Sequence, residues 1–194
     1  MTDTKIALGT WVWGSGALGG DAVYGVNTNE ENLKPVFEAA AKAGLGLWDT
    51  ATVYAMGDSE RILGKFIASV PRESVQISTK FTPQLAEMYD NSVEKMAEAS
   101  MGGRKYNPIL QELEKLTDTL TSIGKRHGLT CSQTAVAWAV TKSVKPIVGA
   151  TKPYHVTEAA EAASVTLTQD EIAELDRLAD AAGIDARGGW EGRA

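Results

Sequence analysis

A short apolar run that ends in a carboxylate lies at Leu45-Gly46-Leu47-Trp48-Asp49-Thr50. A run of this length that follows a glycine predicts a short buried strand. The residues before it favour a helix, because apolar side chains recur there at i, i+3, i+4 and i+7, namely at Leu33, Val36, Phe37 and Ala40. Thr28 and Glu31 have the spacing of a capping box, so we expect this helix to begin there.

The alternation of strand and helix continues on both sides of that strand. A helix is predicted over residues 59–69, where it ends before Pro71, and the next strand covers residues 75–80 and ends in a lysine. Upstream, residues 6–13 form an apolar extended run that leads into a glycine-rich loop at residues 14–25. Strands that alternate with helices predict a parallel sheet with right-handed crossovers.

The second half of the chain is mainly helical. Helices are predicted at about residues 91–100, 108–127, 132–142 and 154–163, and a last one opens with a capping box at Thr168 and Glu171. One more strand is predicted at residues 145–150. Because a complete eight-stranded (β/α) barrel needs ~250 residues, the 194 residues with four predicted strands cannot form one. We expect one α/β domain over residues 1–184 and a mobile tail over residues 185–194.

The composition is that of a soluble globular protein, with 43% hydrophobic and 23% charged residues. A formal net charge of −6 argues against nucleic acid as a partner. No apolar run approaches the ~20 residues of a membrane span. The single cysteine, Cys131, excludes an intrachain disulfide and suits a reducing, cytoplasmic compartment; we expect a buried packing thiol rather than a nucleophile. No metal site is predicted.

Three polar residues lie at or just beyond the carboxyl ends of predicted strands, where barrel enzymes place their catalytic groups. They are Asp49, Tyr54 and Lys80. A tyrosine, with an ordinary pKa of ~10, becomes a better proton donor at neutral pH when a lysine ammonium lies beside it, and an aspartate can hold that lysine charged. Taken singly, Asp49 could cap a turn, Tyr54 could be a surface residue and Lys80 could be a strand-end lysine that reaches solvent. Together they favour an acid catalyst.

Several motifs resemble those of the aldo-keto reductases. The opening of that family is similar to the segments at residues 9–14, 49–54, 57–60 and 78–80, and its closing part is similar to residues 104–108 and 146–153. The resemblance covers almost the whole chain in two blocks. It implies a (β/α)₈ barrel that binds NADPH and reduces an aldehyde or ketone by hydride transfer.

Carried onto this sequence, the resemblance makes Tyr54 the general acid, Lys80 the neighbour that lowers its pKa, and Asp49 the partner of the lysine. The implied NADP-binding residues are Thr10, Trp11, Asp49, Gly149, Ala150, Thr151, Lys152, His155, Glu158 and Ala159. Phosphate at a helix N-terminus gains from free N–H groups, so Lys152 and His155 are placed to meet a 2′-phosphate, with Glu158 and Ala159 near the adenine. His155 could equally be a plain surface residue at a helix start, and His127 a C-terminal helix cap.

The resemblance breaks between about Ser100 and Gly103, where the sequence passes from the family's third helix to the segment after its seventh strand. Strands four to seven are missing, and with them the histidine of strand four and most residues that hold the nicotinamide. The remaining strands correspond to one, two, three and eight of the barrel. We therefore predict a partial TIM-type barrel with two open edges, which two copies of the chain could close as a homodimer.

Two interpretations of function remain open. The chain is an NADPH-dependent carbonyl reductase, with activity weakened or lost through the deletion, or it is a non-catalytic half-barrel that self-associates or binds a small molecule. A third possibility is that the protein contains a further segment, which this sequence omits. Trp11, Trp13, Trp48 and Tyr24 could line an apolar substrate mouth, or they could simply pack in the core.

Overall fold

The computed structural model describes residues 4–16, 19–80 and 109–183. The predicted helix at residues 91–100, the motif at 104–108 and the tail at 185–194 lie outside these residues. Four short strands form one sheet in the order β3-β2-β1-β4, and every neighbouring pair is parallel. The strands are β1 (Ala7–Gly9), β2 (Leu47–Asp49), β3 (Gln76–Ser78) and β4 (Ile147–Gly149). This confirms the predicted partial barrel, with β4 in the place of strand eight beside strand one.

The strand register decides which side chains share a face of the sheet. Leu8 pairs with Trp48 and with Val148, and Trp48 pairs with Ile77. Leu8 and Trp48 are buried against the helices, so this row faces the helical layer. The row at the carboxyl end, which includes Asp49 and Ser78, faces the opposite side. Asp49 therefore points to the side that a complete barrel would enclose.

Seven α-helices are present in the described parts of the chain. They are α1 (Gly20–Tyr24), α2 (Glu30–Lys42), α3 (Asp58–Ile67), α4 (Leu110–His127), α5 (Cys131–Thr141), α6 (Pro153–Ser164) and α7 (Gln169–Ala182). The short α1 lies in the glycine-rich stretch, where the sequence predicted only a loop. Among the described helices, none has the length and apolarity to cross a membrane.

Two hydrophobic clusters hold these helices. The first packs α2, α3 and α6 against β1 and β2, and the second joins α4, α5 and α7 around Leu120, Ile123 and Leu175. Contacts between α5 and α6 connect the two clusters. A fully buried aliphatic side chain contributes about 2 kcal/mol, so both clusters make large contributions to stability.

An aromatic group forms the centre of the first cluster. Trp13 and Trp48 are 0% and 1% exposed, and their rings lie 5.2 Å apart. Phe37 stacks on Trp48 at 5.4 Å, and Phe66 meets Trp13 edge-on at 6.0 Å. Of the two alternatives for Trp13 and Trp48, core packing is therefore the correct one. Trp11, in contrast, is 54% exposed.

The helix ends confirm one predicted cap and correct another. Helix α2 is capped by Asn29, whose side chain accepts the N–H of Asn32, whereas Thr28 is buried and donates to the carbonyl of Gly14. The predicted box of Thr28 with Glu31 was wrong, because Thr28 is used to fix the loop. The box at Thr168 and Glu171 is confirmed. A third box, between Thr130 and Gln133 at the start of α5, had not been predicted.

Glu171 also ties α7 to α4. Its carboxylate accepts hydrogen bonds from Arg126 at 3.0 Å and from His127 at 3.0 Å. His127 is thus the partner of a buried carboxylate, beyond its position at the end of a helix. Burial alone would raise the pKa of Glu171, but hydrogen bonds from the Thr168 backbone, His127 and Arg126 lower it to about 2.

Candidate active site

The centre of the candidate site is an ion pair between the ends of two neighbouring strands. Lys80 Nζ lies 2.7 Å from Asp49 Oδ1 and donates to the carbonyl of Thr50 at 2.9 Å. The other carboxylate oxygen of Asp49 accepts the hydroxyl of Ser78 at 3.2 Å. The predicted pairing of Asp49 with Lys80 is therefore present. It follows from the parallel register, which brings the carboxyl ends of β2 and β3 together.

The ion pair keeps the lysine charged. Partial burial disfavours the ammonium, but the hydrogen bond to Asp49, together with the electrostatic attraction of Tyr54 and Asp49, outweighs that effect. The pKa of Lys80 therefore lies above its ordinary value of 10.5. Lys80 therefore carries a positive charge at neutral pH, at the carboxyl ends of β2 and β3.

Tyr54 lies beside this charge. Lys80 Nζ is 5.2 Å from the centre of the Tyr54 ring, and the phenol contributes to holding the lysine proton. The ring also stacks on Trp11, with centroids 6.2 Å apart and planes inclined by 26°. The structure thus brings together all three predicted acid–base residues, and it adds an exposed aromatic neighbour.

The loop that carries Tyr54 is fixed to the lysine strand. The backbone N–H and the hydroxyl of Thr52 both donate to the carbonyl of Lys80, at 3.2 Å and 3.3 Å. Directly after Tyr54 the chain makes a left-handed turn, in which Ala55, Met56 and Gly57 all have positive φ, at 47°, 53° and 87°. Two of these residues carry a side chain, and such a conformation costs of order 1 kcal/mol or more for each of them.

The predicted cofactor segment follows β4, at the same carboxyl ends of the strands. His155 Nδ1 accepts the backbone N–H of Thr151 at 3.2 Å, so the remaining ring nitrogen is left to carry the proton. Lys152 is exposed at the N-cap position of α6 and makes no side-chain cap, and Pro153 opens the helix. The partial positive charge of the helix dipole and the positive charge of Lys152 thus lie together at the start of α6.

The other predicted cofactor residues have different surroundings. Thr10 is completely buried and donates its hydroxyl to the carbonyl of Asp49 at 3.2 Å. Gly149 is exposed at the end of β4 and Glu158 is half-buried on α6. Ala150 and Ala159 are 0% and 3% exposed and belong to the first hydrophobic cluster, so their methyl groups face the core.

One contact that the sequence did not predict joins the two parts of the site. The indole N–H of Trp13 donates to the carbonyl of Ala150 at 2.8 Å, from the end of β1 to the end of β4. Thr10 in turn bonds to the backbone of Asp49 on the other side. The acid–base group and the segment after β4 are therefore fixed to one another through β1.

Two segments of this chain match the sequence model of one known protein family. The aldo/keto reductase family model matches the chain in two segments, residues 5–102 and 87–180. The chain belongs to the aldo/keto reductase family. A match in two segments agrees with the two blocks of resemblance on either side of the predicted deletion.

Known reductases of this family are similar over part of their length. The chloroplastic pyridoxal reductase of Arabidopsis thaliana is 29% identical over 152 residues, which are 71% of this chain and 37% of that protein. The NADH-specific methylglyoxal reductase of Escherichia coli is 32% identical over 80 residues, 41% of this chain and 23% of that protein. The chain thus spans well under half the length of these curated relatives.

Solved aldo-keto reductases share the fold. A thermostable aldo-keto reductase, Tm1743, crystallised with the inhibitor epalrestat, is 21% identical, with a TM-score of 0.65 over 90% of this chain and 95% of that chain. An enzyme from Klebsiella pneumoniae in complex with NADPH is 18% identical, with a TM-score of 0.64 over 94% of this chain and 92% of that chain. These similarities support the partial barrel.

Proposed function

We propose that this aldo-keto reductase binds NADPH beyond the end of β4 and reduces an aldehyde or ketone with Tyr54 as the general acid. The observation that carries the proposal is the Lys80–Asp49 ion pair, 2.7 Å long, beside the Tyr54 ring. The sequence lacks the segments that correspond to barrel strands four to seven, and with them the family histidine. We therefore propose that turnover is slower than in a complete barrel.

The chain's own residues provide the acid half of the reaction. As Tyr54 gives its proton to the carbonyl oxygen, negative charge develops on the phenol oxygen, and the ammonium of Lys80 stabilises that charge. Asp49 holds the ammonium in place through its 2.7 Å hydrogen bond. Trp11, stacked on the phenol ring, limits the rotation of Tyr54 and shields one side of it from water.

The residues after β4 fit a nucleotide phosphate. The N-terminus of α6 has no side-chain cap and Lys152 beside it is exposed, so a phosphate there gains both from the helix dipole and from the cation. His155 keeps one ring nitrogen as a donor. When bound, NADPH would supply the hydride. Thr151, Lys152, His155 and Glu158 are the proposed contacts, and the side chains of Ala150 and Ala159 take part only through the packing of the helix.

A substitution of Tyr54 tests the acid role. Tyr54→Phe keeps the ring stacked on Trp11 but removes the proton, so we expect the turnover of a generic aldehyde to fall by about 100-fold or more. The dissociation constant for NADPH is measured alongside by fluorescence titration, and it should be unchanged. Turnover that is equal in wild type and Tyr54→Phe would refute the acid role, and no turnover in either would favour the non-catalytic alternative.

A second titration tests the cofactor. Lys152→Ala removes the exposed cation at the start of α6, so we expect the affinity for NADPH to fall several-fold. The affinity for NADH should change little, because NADH has no 2′-phosphate. Arg72→Ala, which removes a cation that lies at the opposite ends of the strands, is the control. If wild type binds neither nucleotide, the cofactor assignment fails.

We also propose that two copies associate through the open edges of the sheet, as a homodimer. In the described residues β3 and β4 are the outer strands, and Ile77 and Ile147 on them are 41% and 57% exposed. A two-fold axis along the barrel would place β3 of one copy beside β4 of the other and keep all eight strands parallel.

A location in the cytoplasm remains a prediction from the single cysteine.

Sedimentation tests this association. We expect a dimer at micromolar concentration, and Ile77→Lys, which places a charge on the edge strand, should shift it to monomer. Ser122→Lys, at an exposed position of α4, is the control that adds the same charge outside the sheet. A wild-type chain that sediments as a monomer would contradict the proposal.

A further inference from the structure

The first turn of α3, directly after the Tyr54 loop, contacts three different parts of the site. Asp58 Oδ2 accepts the backbone N–H of Ser15 at 3.3 Å, and Glu60 Oε1 accepts the hydroxyl of Thr79 at 2.6 Å. Between these two residues Ser59 reaches Thr10. Consecutive residues therefore fix the start of α3 to the glycine-rich loop, to the end of β1 and to the end of β3.

Ser59 makes the only one of these three contacts that is completely buried. Its side-chain oxygen lies 2.8 Å from the carbonyl oxygen of Thr10 and 2.9 Å from the Thr10 hydroxyl, and both residues are 0% exposed. The Thr10 hydroxyl donates in turn to the backbone of Asp49. A chain of hydroxyl groups thus runs from the helix that follows Tyr54 to the strand end that carries the Asp49 carboxylate.

The segment between Tyr54 and Ser59 explains why such an anchor is needed. Ala55, Met56 and Gly57 all occupy the left-handed region, and Ala55 is 3% exposed in spite of its unfavourable backbone. A strained turn persists only where its surroundings determine it. The Thr52 contacts with Lys80 fix the loop before Tyr54, and the start of α3 fixes it afterwards.

We propose that Ser59 is a positioning residue, which holds Tyr54 in line with the Lys80–Asp49 pair by anchoring the far end of the left-handed turn to Thr10. This inference rests on the proposed acid role of Tyr54. It explains the Asp58-Ser59-Glu60 triplet, which neither the acid–base chemistry nor the cofactor requires. When the anchor is removed, the turn relaxes and Tyr54 moves away from the ammonium.

Ser59→Ala is a mild change that tests the anchor. The carbonyl of Thr10 still accepts the N–H of Trp13 at 2.9 Å, and the Thr10 hydroxyl still donates to Asp49, so neither group of Thr10 is left without a partner. Ser59→Cys keeps the shape of serine, with a somewhat larger atom that is a much weaker donor, and it provides a second variant if Ser59→Ala does not fold. Ser69→Ala, which removes a hydroxyl just beyond the other end of α3, is the matched control.

The measurement reports the position of Tyr54 directly. Proteins labelled with 3-fluorotyrosine are compared by fluorine NMR, with the Tyr54 signal assigned by its loss in Tyr54→Phe. We expect the Tyr54 signal to shift and broaden in Ser59→Ala, to change less in Ser59→Cys, and to stay unchanged in Ser69→Ala. In turnover, kcat should fall about 10-fold or more in Ser59→Ala, while the NADPH dissociation constant stays at the wild-type value.

The outcomes separate the anchor from the proposed function. A Tyr54 signal that is identical in wild type and in the folded Ser59 variant overturns the positioning role, and so does an equal shift in Ser69→Ala. If the wild-type chain shows no turnover, the proposed function fails, but the fluorine signal still decides whether Ser59 holds Tyr54 in place. A change in the signal and in kcat, without a change in NADPH affinity, supports the proposal.

Discussion

At the residue scale, Lys80 is the group on which the site depends, because its ammonium contacts the carboxylate and a backbone carbonyl at the end of the neighbouring strand. The amino acid pattern was sufficient to predict this pair. Parallel strands bring their carboxyl ends to one edge, so an aspartate and a lysine that end successive strands meet there. The neighbouring left-handed turn was not predicted, because Ala55 and Met56 carry no signal for positive φ.

The pKa of Lys80 provides a direct test of the pair. Asp49→Asn removes the carboxylate that raises the pKa of the lysine, so we expect that pKa to fall, with burial left to act against the charge. Proton–carbon NMR of the reductively methylated protein measures it. Asp176→Asn, which removes the partner of Lys142 in another part of the molecule, should leave the Lys80 signal unaffected. An unchanged Lys80 pKa in Asp49→Asn would contradict this account.

Thr50, next to Asp49, provides a second test at the same scale. Its side-chain oxygen is buried and has no hydrogen-bond partner within the described residues. Valine has nearly the same shape without the polar oxygen, so we expect Thr50→Val to raise the free energy of unfolding by about 1 kcal/mol. Thr134→Val should lower it by a similar amount, because the buried Thr134 hydroxyl donates to the Thr130 carbonyl at 2.8 Å. Urea denaturation compares the two, and a loss of stability in Thr50→Val would show that its hydroxyl has a partner.

At the element scale, hydrophobic periodicity predicted most helices to within a few residues. It missed the short α1, and the other errors are at the helix ends. Thr28 and Asn29 are both good capping residues, and local pattern cannot decide between them. The choice is made by the Gly14 carbonyl, a tertiary partner that takes the Thr28 hydroxyl. The aromatic residues show the same limit, since Trp11 and Trp13 are two positions apart and only one is buried.

The contact between α4 and α7 makes stability depend on acid pH. The folded-state pKa of Glu171 is about 2, below its ordinary value of 4.5, so its contribution is complete above pH 4.5 and is lost as the pH falls towards 2. Glu171→Gln should therefore destabilise the protein at pH 7 by about 1–3 kcal/mol and by clearly less at pH 3.

Urea denaturation at the two pH values measures the difference for Glu171→Gln. Glu174→Gln, at an exposed position of the same helix, is the control and should be nearly neutral at both. An equal loss at pH 7 and pH 3 in Glu171→Gln would mean that the carboxylate charge is not what stabilises the contact.

At the scale of the whole molecule, the strand order could not be read from residue patterns alone. Periodicity predicted four strands, but the position of β4 next to β1 followed from the resemblance to a barrel family, in which the last strand neighbours the first. The physical reason is that short strands buried against helices look alike in sequence, and nothing in residues 145–150 identifies their partner. The exposure of β3 and β4 agrees with their predicted place at the open edges.

The bond between Trp13 and Ala150 joins residues that are 137 positions apart in the chain. During synthesis the ribosome makes β1 long before it makes β4. The side of β1 that pairs with β4 therefore has no partner until β4 emerges. Contacts of such long range slow folding and leave an exposed edge for much of synthesis. For this protein, the time between the synthesis of β1 and that of β4 is therefore the period in which chaperones are most needed.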